Sequence, residues 1–185
     1  MHMPINRGSH ISAIIQEIKH LKPNSILDIG VGFGMMGVIF RAYTDIRMSE
    51  ISPNRYHKNG YQARIDGIEV FEPYRNGVWE AAYDYVYVGN VTDILQNLQH
   101  YDLIYAGDVI EHFSKEEGRN ILEQMLNKGS NVIIATPSPA PKQDELLGNR
   151  HEKHLSSWDE ADFAAYGHEI VGNFDGILVV RLWKI

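Results

Sequence analysis

Cysteine is absent from the 185-residue sequence, which excludes disulfides, thiolate metal sites and a cysteine nucleophile. The absence fits a reducing compartment, and the cytoplasm is the expected location. No apolar run approaches the length of a membrane span, and the opening MHMPINRGSH lacks the apolar core of a signal peptide, so no membrane association is expected. Basic residues are the minority, 17 against 24 acidic for a net charge of −7, which argues against a general polyanion-binding surface while leaving room for a local basic patch. Repeats, low-complexity segments and breaks in composition are also missing. A single domain over residues 1–185 is therefore expected, large enough to bury a substantial core.

What is present is organised around Ser25–Arg41, SILDIGVGFGMMGVIFR. An apolar run, Ile26–Leu27–Asp28–Ile29, leads into Gly30, Gly32 and Gly34, with Gly37 beyond. The order reads as a buried strand, a glycine turn and the first turn of a helix. Such a turn lets backbone approach a ligand closely and aims helix N-terminal amides at it.

Along the rest of the chain, Ile11, Ile14, Ile15, Ile18 and Leu21 have helical spacing, with Ser9 as the expected N-cap and Pro23 just past the end. Tyr43–Arg64 is polar and reads as a short helix plus a loop covering the ligand. Ala63–Phe71 reads as a strand ending near Glu69, and Glu50 is the competing acid. Tyr83–Val88 and Tyr101–Ala106 are strands by their aromatic and β-branched content, and Val91–Leu98 is a short helix between them. Ser114 should cap a helix burying Ile121, Leu122, Met125 and Leu126 and ending at Lys128–Gly129. Asn131–Ala135 is an apolar central strand, and Thr136–Pro141 a loop. Trp158–Tyr166 is expected as a helix capped by Ser156 and Ser157. His168–Phe174 and Ile177–Ile185 flank Asp175–Gly176 as a hairpin. Alternation of this kind implies an α/β protein with a parallel sheet wrapped by helices.

The D-x-G-x-G-x-G pattern at Asp28–Gly34, together with YDLIYAGDVIEHF and the strand-then-proline segment NVIIATPSP, resembles the class I S-adenosylmethionine-dependent methyltransferases. Within that family, YDLIYAGDVIEHF resembles the ubiquinone-biosynthesis O-methyltransferase type. The resemblance spans roughly Ser25 to Ile185. It implies a three-layer Rossmann-like sandwich on a mostly parallel seven-stranded sheet that ends in an antiparallel hairpin. It also implies S-adenosylmethionine as cofactor. Gly30, Gly32 and Gly34 would wrap the methionine part and Asp28 position its amino group. Glu69 would hold the ribose hydroxyls, Asn90 and Val91 would face the adenine, and Asp108 would lie beside the sulfonium. Glu69 lies 35 residues after Gly34, against about 20 in dinucleotide fingerprints, and an insertion at Tyr43–Arg64 would account for the excess. Gly32–Gly34–Gly37 also fits the G-x-G-x-x-G of nicotinamide dehydrogenases. Asp28 and the terminal hairpin favour the methyltransferase.

Asp108, Glu111 and His112 share one face if their segment turns helically, and Asn149–His154 places His151 and His154 before Trp158. The pairing resembles the small-RNA 2′-O-methyltransferases, whose carboxylates and histidines hold a divalent ion. By that resemblance Glu111, His112 and His154 are the metal-ligand candidates, with His151 or Asp108 completing the set. Asp108 stands where that family has glutamate. The alternative is a metal-free segment in which the Glu-His pair caps the following helix and His112, His151 or His154 serves as general base.

The activity expected is methyl transfer from S-adenosylmethionine to an oxygen or nitrogen of a small molecule, with His112 and His154 as the catalytic candidates. Net acidity disfavours nucleic acid as the acceptor, and RNA stands as the alternative together with a non-catalytic cofactor-binding module. Tyr43–Arg64, Phe71–Ala82 with Tyr74, Arg75 and Trp79, and Pro137–His154 are the expected acceptor walls.

Overall fold

The structure, a computed structural model, describes residues 8–46, 58–146 and 148–185. Glu50 and half of Tyr43–Arg64, the segment expected to cover the ligand, fall outside the described residues. In chain order the elements are α1 (Ile11–Leu21), β1 (Ser25–Ile29), α2 (Met35–Arg41), β2 (Arg64–Glu69), α3 (Gly77–Ala82), β3 (Tyr85–Val88), α4 (Val91–Leu95), β4 (Tyr101–Gly107), α5 (Lys115–Lys128), β5 (Gly129–Pro137), β6 (Gly167–Phe174) and β7 (Ile177–Trp183). No described helix is long and apolar enough to cross a membrane.

The seven strands form one sheet in the order β3-β2-β1-β4-β5-β7-β6. The first five are mutually parallel, and β7 runs antiparallel between β5 and β6. Side-chain alternation distributes each central strand between two cores. Ile26 lies with Ile14, Phe40 and Tyr83 on one face, while Leu27 lies with Leu122, Trp158 and Phe163 on the other. Helices thus cover both faces, as a parallel sheet requires. The strand order reverses between β1 and β4, and a crevice opens there at the carboxyl ends of the strands.

Several local expectations are corrected. His10, not Ser9, precedes α1, and the Ser9 hydroxyl instead donates to the Phe174 carbonyl, tying the chain start to the hairpin. Residues 77–82, within the Phe71–Ala82 stretch expected as an acceptor wall, are helical (α3), capped by the Asn76 side chain accepting from the Val78 amide, which leaves the wall expectation itself standing. The helix after Asn90 ends at Leu95. Thr136 and Pro137 are not loop but the end of β5, paired with Leu178 and Ile177.

The helix expected over Trp158–Tyr166 is reduced to a 3-10 turn, Glu160–Phe163, capped by Asp159. The reason lies in Trp158. Its fully buried indole donates to Ser156 Oγ and the Ile110 carbonyl, so the chain is pinned before a helix can start. Ser156 and Ser157, expected as caps, are committed elsewhere, the latter accepting from the Ala140 amide. The Ser114 cap does form, as a capping box with Glu117.

Candidate active site

The glycine turn leaves β1 with positive φ at Gly30, Gly32 and Gly34. Gly30 is the position where no side chain fits. Its φ is +78°, and a Cβ would stand 2.6 Å from Val109 Cγ2. Behind the turn, α3 supplies two aromatic supports. Trp79 Nε1 donates to the Gly32 carbonyl at 2.9 Å. Tyr83 Oη accepts from the Gly37 amide at 2.9 Å and donates to Asp28 Oδ2 at 2.5 Å. Gly37 must be glycine for that contact, since a Cβ there would sit 2.3 Å from the phenol ring.

Asp28 is therefore placed behind the turn rather than on the cavity wall. Burial drives its carboxyl up to about 7, with the Tyr83 hydrogen bond opposing and the charge of Glu69 adding to the rise. Glu69, at the end of β2, is held by two amides. Oε2 accepts from Gly32 and Oε1 from Phe71, each at 2.8 Å. Burial raises its pKa and these amides offset the rise. Asn90 caps α4 by accepting from the Thr92 amide. Glu69, Asn90, Val91 and Asp108 all line one cavity of about 870 Å³ with the glycine turn. Asp108 has φ +52° directly after β4 and donates its amide to the Ala135 carbonyl. A non-glycine residue held there stores strain of roughly 1–3 kcal/mol.

The opposite wall brings Glu111, His112 and His154 together. One donor atom from each lies within 4.8 Å of the others, and the two imidazole centroids are 5.0 Å apart. The turn Ile110–His112 presents the first two. His154 comes from the loop after β5, which is tied to that turn by the Leu155 and Ser156 amides donating to the Glu111 carbonyl at 2.8 and 3.0 Å. His151 lines the same cavity but stands outside the trio.

The hydrogen bonds around the trio set its chemistry. His112 Nδ1 faces the Lys153 carbonyl at 3.2 Å and His154 Nδ1 faces the Pro141 carbonyl at 2.7 Å. A carbonyl only accepts, so both protons are assigned to Nδ1, which leaves the Nε2 lone pairs for a ligand. Burial lowers the pKa of His112, favouring that neutral form. Glu111 is 1% exposed. Its Oε2 accepts from Thr136 Oγ1 at 2.9 Å, but Oε1 is buried without a partner. Burial and the nearby Asp108 raise its pKa to about 8. An orphaned buried carboxylate oxygen beside two imidazole lone pairs fits a divalent cation of the magnesium, manganese, iron or zinc type.

Three features escaped the sequence reading. Trp79 and Tyr83 support the turn. Glu152 links the halves of the cavity, accepting from Tyr74 Oη at 2.9 Å and Asn149 Nδ2 at 3.3 Å. The only sequence signal for the supports was Gly37, a glycine inside a helix that asks for a close neighbour.

The fold is that of the class I S-adenosylmethionine-dependent methyltransferases. Among solved structures it is similar to the bifunctional kinase-methyltransferase WbdD (TM-score 0.65, 15% identity), covering 97% of this chain and 40% of that one. It is also similar to the N-terminal domain of EvdMO1 with SAH bound (TM-score 0.66, 13% identity; 95% of this chain, 81% of that one). A third is the methyltransferase domain of bacterial CtHen1 (TM-score 0.61, 12% identity; 95% and 98%). The chain thus spans about two fifths of the length of WbdD. No protein-family model matches the sequence, and no curated protein does.

Proposed function

We propose that the protein is an S-adenosylmethionine-dependent methyltransferase acting on a hydroxyl of a small-molecule acceptor. One observation carries the reading. The glycine turn with Glu69 and the Glu111–His112–His154 trio line a single cavity at the point where strand order reverses. The SAH-bound EvdMO1 domain supports the choice of cofactor.

On this reading Gly30, Gly32 and Gly34 lie against the methionine part of the donor, and Glu69 accepts from the ribose hydroxyls through lone pairs its two amides leave available. Asn90 and Val91 border the adenine. Asp28 acts from behind, holding the turn through Tyr83. The methyl passes by in-line displacement. The acceptor oxygen bonds to the methyl carbon while the C–S bond breaks, its electron pair going to sulfur, and the hydroxyl proton leaves to an imidazole or to water. Most of the rate comes from alignment and exclusion of water in a mostly apolar cavity.

Glu111, His112 and His154 are the residues that would hold a divalent cation. Bound there, it would orient the acceptor hydroxyl and lower its pKa. The two histidines are held in the required tautomer by Lys153 and Pro141 carbonyls, and Thr136 orients the carboxylate.

Calorimetry with S-adenosylhomocysteine tests the donor assignment. Micromolar-range binding that is lost in Gly32→Val and weakened in Glu69→Ala is expected. No binding, or equal binding in the variants, overturns it.

A further inference from the structure

The charge of the cavity wall narrows the acceptor class, an inference that rests on the methyltransferase reading above. Among the described residues lining the cavity are four carboxylates, Glu69, Asp108, Glu111 and Glu152, and neither lysine nor arginine. Two neighbouring cations are engaged elsewhere. Arg75 lies over the Trp79 ring, and Lys153 pairs with Asp144.

Glu152 sits where this matters most. Its turn, Arg150–Glu152, reaches across to Tyr74 beyond the end of β2. From there it lines the same cavity as Glu69 on the donor side and Glu111 and His112 on the acceptor side. Asn149 and Tyr74 hold one of its oxygens by donating to it, and Gln143 fixes its backbone by donating to its carbonyl at 2.6 Å.

A phosphate or carboxylate entering this space would give up its hydration and meet like charge, with no guanidinium or ammonium among the described lining residues to pair with. Even with a divalent cation at the trio and the donor's positive charge in place, no described lysine or arginine lines the cavity to pair with such an anion. A protonated amine would be welcome electrostatically but has no lone pair for methyl transfer. A neutral molecule rich in hydroxyls suits the wall on both counts. Its O–H groups donate to carboxylates, and its C–H faces lie on Pro137, Pro141 and Leu146, which also line the cavity.

We propose that the acceptor is an uncharged polyhydroxylated molecule of the sugar or cyclitol class, and that Glu152 selects it against phosphorylated or carboxylated counterparts.

Matched pairs test this directly: a methyl pyranoside against the corresponding uronate, and an inositol against its monophosphate. Each is offered with isotope-labelled S-adenosylmethionine and magnesium or manganese. The expected result is transfer to the uncharged member, with kcat/KM roughly tenfold or more above its anionic counterpart. In Glu152→Gln, which keeps an oxygen for Tyr74 and Asn149, that ratio falls several-fold, a change that loss of stability alone would not produce. Preference for the anionic member, equal transfer to both, or transfer to neither member of any pair overturns the proposal. So does an unchanged ratio in Glu152→Gln. Calorimetry with S-adenosylhomocysteine on the same samples separates the two readings. Bound SAH beside such a result retires the acceptor class alone, whereas absent SAH binding retires the methyltransferase reading with it.

Discussion

The phenol of Tyr83 donates to the buried carboxylate of Asp28 at 2.5 Å and at the same time accepts from the Gly37 amide. Strand, glycine turn and the following helix are thereby locked to one side chain from the end of α3. Tyr83→Phe strands both partners, and removing one member of a buried hydrogen bond costs about 1–3 kcal/mol. Urea denaturation should show that loss, and SAH affinity should fall with it because the turn loosens.

Burial of Asp28 gives a pH dependence. Burial raises the Asp28 carboxyl to about 7, against about 3.9 in an unfolded chain. Between those values the folded state binds the extra proton, so this group's contribution is fully present below about 4 and declines as pH rises through 7. Asp28→Asn, which resembles the protonated form, should flatten that slope. The check is the difference between wild-type and variant stability across pH 4–8. A parallel pair of curves would remove Asp28 from the account.

Gly30 makes a sharper test of the donor turn. With φ at +78° and Val109 Cγ2 2.6 Å from any Cβ, Gly30→Ala should cost roughly 1–3 kcal/mol of backbone strain alone. Val109→Ala in the same chain relieves the collision but not the φ penalty. SAH affinity should therefore recover only in part in the double variant, and full recovery would show that φ is unimportant there.

Trp158 anchors the loop that delivers His154. It is fully buried, stacks on Phe163 and bonds to the Ile110 carbonyl beside Glu111. Trp158→Ala should lose about 3–5 kcal/mol, and Trp158→Phe less. In the Phe variant the lost indole bond should weaken metal binding more than SAH binding, since the donor wall is built from other elements.

That anchor also shows where the sequence was legible. The parallel strands, the glycine turn and the Asp175–Gly176 hairpin depend on residues close together in the chain, and periodicity and turn chemistry report them. The Asp28–Tyr83 bond joins residues 55 apart, and nothing local marks it. The segment D-V-I-E-H and the later histidines were visible, but which histidine meets Glu111 depends on where Trp158 docks. His154 joins the trio and His151 does not. Helical propensity over Trp158–Tyr166 was overridden by the same burial.

His10 is buried at the start of α1 with neither ring nitrogen hydrogen-bonded, and burial lowers its pKa. A neutral folded imidazole means the unfolded state binds more protons near its ordinary value, so this group's contribution is lost as pH falls below about 6.5. His10→Leu removes the titrating group. Relative to wild type it should gain stability at pH 5, read by thermal melting, with a smaller difference at pH 8. A constant difference between the two pH values would count against it.

The orphaned Oε1 of Glu111 is the observation that most favours a cation at the trio. Burying a carboxylate oxygen unpaired is costly, and without an ion the carboxyl is pushed up to about 8 and stays protonated at neutral pH. Tag-free protein should carry close to one equivalent of a divalent metal by elemental analysis, and Glu111→Ala and His154→Ala should carry none. Adding the metal to chelator-treated wild type at a hundredfold excess over its Kd should stabilise the fold by about 2.7 kcal/mol, with no shift in either variant. Because the ion would fill a site whose ligands come from the Ile110–His112 turn and the loop at His154, the gain should appear as protection of those two segments in hydrogen exchange. Metal-free wild type with no stabilisation by any of magnesium, manganese, iron or zinc would leave Glu111 a protonated structural acid hydrogen-bonded by Thr136.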